Sequence, residues 1–144
     1  MSDMTAEAGY EYFEAEPAVG IRAWAPDRAR AFAESARGVF ARIIEPSTVA
    51  DHECREVRAQ GGSPEELLAN WISEGLYVHE IEGFAVHTVE VTVCTGALVH
   101  GFLRGEPFDD DRHRPRVMSR SATRPRAAVI EAQGRIETTL VIDI

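Results

Sequence analysis

Nine consecutive residues hold the densest chemistry in the chain: Gly105-Glu106-Pro107-Phe108-Asp109-Asp110-Asp111-Arg112-His113, with four carboxylates, a guanidinium and an imidazole. Such a set could supply oxygen ligands, a docking surface, or an acid and a base if two carboxylates converge in one pocket. It also describes a solvated connection in which Pro107 and the aspartates provide turn chemistry. A second group is Asp143-Ile144, where a carboxylate and main-chain oxygens lie together. Hard oxygens of that kind suit Ca²⁺ or Mg²⁺ rather than zinc. The third is basic. Six of the fifteen arginines (Arg112, Arg114, Arg116, Arg120, Arg124 and Arg126) fall within fifteen residues, in a chain without lysine. On an extended strand Arg114, Arg116 and Arg120 share one parity, a face that could meet phosphates. An edge strand guarded by charge and by Pro115 and Pro125 fits equally well.

Familiar catalytic signatures are missing. There is no phosphate-binding G-x-x-x-x-G-K-[ST] loop, no G-x-G-x-x-G and no G-x-S-x-G elbow. His52, His79, His87, His100 and His113 are scattered, with no zinc spacing among them. No catalytic residue is nominated, and an independent enzyme is not indicated. Cys54 and Cys94 are isolated thiols, which argues for a reduced compartment. A net charge of −9 disfavours non-specific wrapping of nucleic acid. No stretch approaches the ~20 apolar residues of a membrane span, and Met1 to Gly9 reads as a short flexible tail without signal character. The expected location is cytoplasmic.

These groups must be positioned by elements that the patterning exposes. Val19, Ile21 and Ala23 alternate with Gly20, Arg22 and Trp24 at strand period, and Pro17 divides an extended stretch from Tyr10 to Trp24. Asp27 caps a helix whose Phe32, Ala36, Val39, Phe40 and Ile43 form one stripe, ended by Glu45-Pro46. A short strand over Glu53 to Ala59 precedes Gly61-Gly62. Ser63, Pro64 and Glu66 then open a second helix with a capping box, and Gly83 closes it. Beyond Phe84 all reads as strands: Val86 to Cys94, Ala97 to Glu106, Arg116 to Thr123, Ala127 to Ala132 and Arg135 to Ile144. The predicted class is α+β, two-layer, with two helices packed on one face of a mostly antiparallel sheet, in a single domain over residues 10–144.

In order along the chain, these segments resemble the archease family. The resemblance is carried by Tyr10-Glu11-Tyr12-Phe13-Glu14 with Val19-Gly20-Ile21-Arg22-Ala23, and by Leu67-Leu68-Ala69-Asn70-Trp71 with Leu76-Tyr77. It continues in Glu82-Gly83-Phe84, in Arg104-Gly105-Glu106-Pro107-Phe108-Asp109 with Arg112-His113, and in Leu140-Val141-Ile142-Asp143-Ile144. It runs from about Tyr10 to Ile144.

The resemblance implies an accessory protein, similar to chaperone-like modules, that serves an RNA-splicing (tRNA) ligase of the guanylyl-histidine type. The implied role is to promote the ligase's guanylylation and multiple turnover, with RNA met only indirectly or through the ligase. It also implies a divalent metal, Ca or Mg, near the contact tip, and here the chain departs from the family. Where the family reads His-Thr-Ala-Asp before Val-Gly-Ile, this chain reads Ala15-Glu16-Pro17-Ala18. The ligand position is therefore Ala18, leaving Asp143 and Ile144, with Glu16 as a possible substitute, and the implied site is weakened or lost. A second departure puts Arg124 and Pro125 where the family carries an aromatic residue and a histidine. The implied contacts with ligase, RNA and nucleotide are Glu106, Asp109, His113, Arg116 and Arg120. The alternative is an archease-fold interaction module that has lost the ligase role.

Overall fold

In the computed structural model, which describes residues 7–117 and 124–144, seven strands form two antiparallel sheets. The element order is β1 (Gly9–Ala15), β2 (Ala18–Ala25), α1 (Arg28–Ile43), a 3₁₀ turn (Pro46–Thr48), β3 (Glu53–Gln60), α2 (Pro64–Ile81), β4 (Phe84–Cys94), β5 (Leu98–Pro107), α3 (Asp110–His113), β6 (Arg126–Ala132) and β7 (Arg135–Ile142). One sheet runs β1-β2-β7-β6 and the other β3-β5-β4. The α+β class stands, with two corrections. The strands divide between two sheets rather than sharing one. The strand expected from Arg116 is not present over Arg116 and Val117, and its remainder, 118–123, lies outside the described residues. Residues 1–6 of the expected tail also lie outside them.

The helix boundaries follow their caps. Asp27 accepts from the Arg30 amide at 2.8 Å and Ser63 from the Glu66 amide at 3.1 Å. The Glu66 carboxylate reaches back to the Gly62 amide rather than to Ser63, a capping box displaced by one residue. Gly83 ends α2 with φ +66°, the left-handed conformation that glycine adopts without strain.

The core lies between the helices and the inner faces of the strands. Ile21, Phe32, Val39, Leu68, Trp71, Leu103, Leu140 and Ile142 are all buried. Trp71 donates its indole N–H to the Phe32 carbonyl at 3.1 Å, tying α2 to α1 without leaving a polar atom unmet. On β7, Ile136, Thr138, Leu140 and Ile142 face inward as their period requires. The Thr138 hydroxyl is reconciled to burial by a hydrogen bond with Ser35.

Two register shifts interrupt β4, between Val86 and Thr88 and between Val91 and Val93, and β5 answers with Gly105 and Gly101 opposite them. A Cβ on Gly105 would run into the Ala85 carbonyl oxygen, which is main chain and has no rotamer with which to yield. Gly105 thus lets β5 lie close against β4 and sets the direction of Glu106 beside it. Gly105→Ala is expected to destabilise the fold by about 3 kcal/mol, the upper part of the overpacking range, measured by urea unfolding with an unchanged m-value.

Candidate functional site: a buttressed acidic turn

At the end of β5 the chain turns inward, and Glu106 is buried at 6% exposure. An ionised carboxylate survives there only if its oxygens are met. Its Oε2 accepts from the Ala50 amide at 2.9 Å, from Arg112 Nη2 at 2.6 Å and from His113 Nε2 at 2.9 Å, while Oε1 accepts from Arg112 Nη1 at 3.1 Å. The Ala50 amide and His113 hold the Glu106 carboxyl down at about 2, overcoming the opposing effect of burial, with Arg112 adding to the same direction.

His113, 2% exposed, is held from both sides. Its Nδ1 accepts from the Asp109 amide at 2.8 Å, which places the ring hydrogen on Nε2, where it is donated to Glu106. Its ring also packs on Phe108, with centroids 5.7 Å apart, and Phe108 meets His79, which in turn meets Phe40 of α1. The Phe108 amide donates to the Gly83 carbonyl at 2.7 Å. The turn is therefore locked to the core through rings and to the loop before β3 through Glu106.

The other nominated residues separate from this centre. Asp109 is the exposed N-cap of α3, and its Oδ1 turns back to the Asp111 amide at 3.0 Å. Its carboxylate is exposed where that of Glu106 is buried, and among the described residues the two share no hydrogen-bond partner. Arg116 sits at the C-terminal end of α1. Its guanidinium donates to the Ala41 carbonyl at 2.6 Å and pairs with Glu45 at 3.4 Å, and its amide donates to the Ile43 carbonyl. Arg120 lies outside the described residues. Arg112, absent from the shortlist, belongs to the centre. It is bidentate to Glu106 and half exposed, so its remaining donors point outward in a fixed plane. Ala50 stands 56 residues from Glu106, and nothing local in the sequence signals its part.

The metal expectation falls at the tip of the β1–β2 ladder, where Ala15 pairs with Ala18. Val19 pairs with Ile142, so the next step outward sets Ala18 beside Asp143. Asp143 is exposed just past β7, Ile144 packs partly on the core, and Glu16 is exposed in the β1–β2 turn. Among the described residues no three His, Cys, Asp or Glu side chains converge where a metal could sit. One carboxylate beside an alanine does not fit a resident hard cation, whose affinity follows the number of charged oxygens.

With this geometry in view, the comparisons with known proteins decide the family. Residues 10–144 match the model of the Archease protein family (MTH1598/TM1083). The chain belongs to the archease family. It is 31% identical over 138 residues to a protein archease of Methanopyrus kandleri, covering 94% of this chain and 99% of that one. A protein archease of Pyrococcus abyssi is 30% identical over 117 residues, 79% of this chain and 82% of that one. The fold is shared with the solution structure of Methanobacterium thermoautotrophicum protein 1598, at a TM-score of 0.74 and 20% identity over 94% of this chain and 99% of that one. Among the described residues no helix is long and apolar enough to cross a membrane.

Two outcomes check this archease's site. Glu106→Gln leaves a donor facing donors and is expected to cost about 1–3 kcal/mol near neutral pH. Because the folded carboxyl lies below the ordinary value of 4.5, its stabilisation is complete above that pH and lost as the pH falls toward about 2. Urea unfolding at several pH values should therefore show the gap between the two proteins closing through that window; a gap independent of pH would mean that the Glu106 charge contributes nothing. Separately, Ala18→Asp stands a second carboxylate beside Asp143 and is expected to confer saturable Ca²⁺ binding by calorimetry, absent from the unsubstituted protein.

Proposed function

We propose that this archease is an accessory protein that promotes guanylylation and multiple turnover of an RNA-splicing ligase of the guanylyl-histidine type, rather than an enzyme with its own substrate. The observation that carries the reading is the family match over residues 10–144, which includes the whole turn from Gly105 to His113. The organisation of that turn agrees with a role in positioning. Its buried carboxylate and imidazole are spent on each other and on main-chain amides, which leaves Asp109 and Arg112 as the groups offered to a partner. Glu106 and His113 hold that surface in shape, Arg116 secures the segment to the end of α1, and RNA is met through the ligase. Neither Ca nor Mg is needed for these contacts, and the metal that the family resemblance implies has no step in this reading.

A second reading is favoured by one observation, the alanines at positions 15 and 18: an archease-fold interaction module serving a different protein. Multiple-turnover RNA ligation by the organism's own ligase, with and without this protein, separates the two. Under the first reading, the guanylylated ligase accumulates faster and each ligase molecule completes several joining events only when the protein is present. Arg112→Gln lowers that stimulation at least fivefold in a sample shown to be folded at the assay temperature, the loss of a bidentate partner of Glu106 costing about 1–3 kcal/mol of stability. No acceleration from a folded sample overturns the ligase reading and leaves the second.

A further inference from the structure

The β1–β2 hairpin and the last turn of α1 enclose an open recess of about 290 Å³, lined by Tyr12, Ala15, Ala18 and Arg42 together with the exposed Glu14 and Glu16. Arg42 is half-buried, yet its side chain forms no hydrogen bond or ion pair with any described residue. Other arginines of the chain are engaged: Arg22 with Glu11, Arg37 with Glu34 and Arg112 with Glu106. Glu14 and Glu16 share the recess with Arg42 and form no ion pair with it.

A cation in the last turn of a helix is favoured by the macrodipole, but that field does not meet a guanidinium's five N–H donors. Nor do the nearby carbonyls stand free. Phe40 accepts from the Ile44 amide, Ala41 from the Arg116 side chain and Ile43 from the Arg116 amide. Arg116 adds a second positive charge at this helix end. Burial pushes the Tyr12 hydroxyl up to about 12 against the pull of both guanidiniums, which places Arg42 within electrostatic reach of the hairpin. Among the described residues the recess therefore combines a planar donor with no partner, space left by two alanines and no cluster of cation ligands.

We propose that this recess receives an oxyanion, a carboxylate or a phosphate group, on the guanidinium of Arg42, and that the hairpin end of the molecule works without a bound divalent cation. A planar guanidinium with free donors matches the oxygens of either group. Glu14 and Glu16 temper the site, so a free ion is expected to bind only in roughly the millimolar range. The proposal does not rest on the ligase reading, and it stands or falls on binding alone.

The test follows the ¹⁵N-labelled arginine Nε–H signals and backbone amides of the full chain by NMR at constant ionic strength. Inorganic phosphate, acetate and CaCl₂ are titrated separately. The expected result is a saturable shift of the Arg42 Nε–H and of the amides from Ala15 to Val19 with phosphate or acetate, and none with CaCl₂. A response to phosphate alone assigns a phosphate group, and a response to both admits a carboxylate. Arg42→Gln should abolish the shifts at Ala15 to Val19 and leave the remaining spectrum in place. Arg42→Lys should retain them with affinity lowered several-fold. The proposal is overturned if neither anion moves Arg42, if the exposed Arg126 responds equally, if Arg42→Gln still responds, or if Ca²⁺ gives saturable shifts at Glu16 and Asp143.

Discussion

One buried carboxylate organises the acidic end of this archease. Glu106 leaves water at the close of β5, where an unmet charge would be far more costly than the fold could sustain, and three donor residues from two other segments meet its oxygens. The loop before β3 supplies an amide, α3 supplies Arg112 and His113, and β5 supplies the residue itself. Each donor is useful only where the others have already brought the chain into place. The turn is consequently a single rigid piece, although most of its residues are polar. Its negative character at the surface comes from Asp109, Asp110 and Asp111, not from the carboxylate that holds it together.

From that turn the chain passes directly to the end of α1. The Arg116 amide and guanidinium take the Ile43 and Ala41 carbonyls, two of the acceptors that a helix leaves open at its C-terminus. The β1–β2 hairpin reaches the same helix slightly earlier, where Tyr12 donates to the Gly38 carbonyl at 2.7 Å. The acidic turn and the hairpin are thus anchored to one stretch of chain, from Gly38 to Glu45, at the end of α1. A partner that grips both would feel a single stiff support rather than two loops.

Much of this was legible in the sequence, and what was not has a physical reason. Helix limits are local: Asp27, Ser63 and Gly83 each act within a few residues, and each acts where its type predicts. Alternation on β7 could be read because one face is buried along its whole length. The division into two sheets could not be read, since period 2 says which face a residue takes but not which strand lies beside it. The arginine cluster misled in a related way. Spacing set Arg116 on a strand, either a face for phosphates or a charge-guarded edge, whereas its hydrogen bonds go to a helix end 75 residues earlier in the chain. Arg112 was passed over although the carboxylate that orients it lies only six residues away, because nothing in the sequence states that Glu106 points inward.

The same reasoning explains how a family fold persists around altered chemistry at the hairpin. Ala15 and Ala18 pair with each other at the tip of the β1–β2 ladder, and that ladder is held by main-chain hydrogen bonds which do not depend on the side chains there. Anchorage comes from further along: Phe13 lies across Gly20, Tyr12 bonds to α1, and Ile21 packs in the core. Side chains at the tip are therefore free to change charge without unsettling the strands, whereas Glu106 cannot change without stranding the Ala50 amide, Arg112 and His113. Selection on a partner's chemistry can act at the hairpin, while the acidic turn is constrained by folding itself. Similarity of the whole chain to other archeases is for that reason strong evidence about its architecture and weaker evidence about what the hairpin binds.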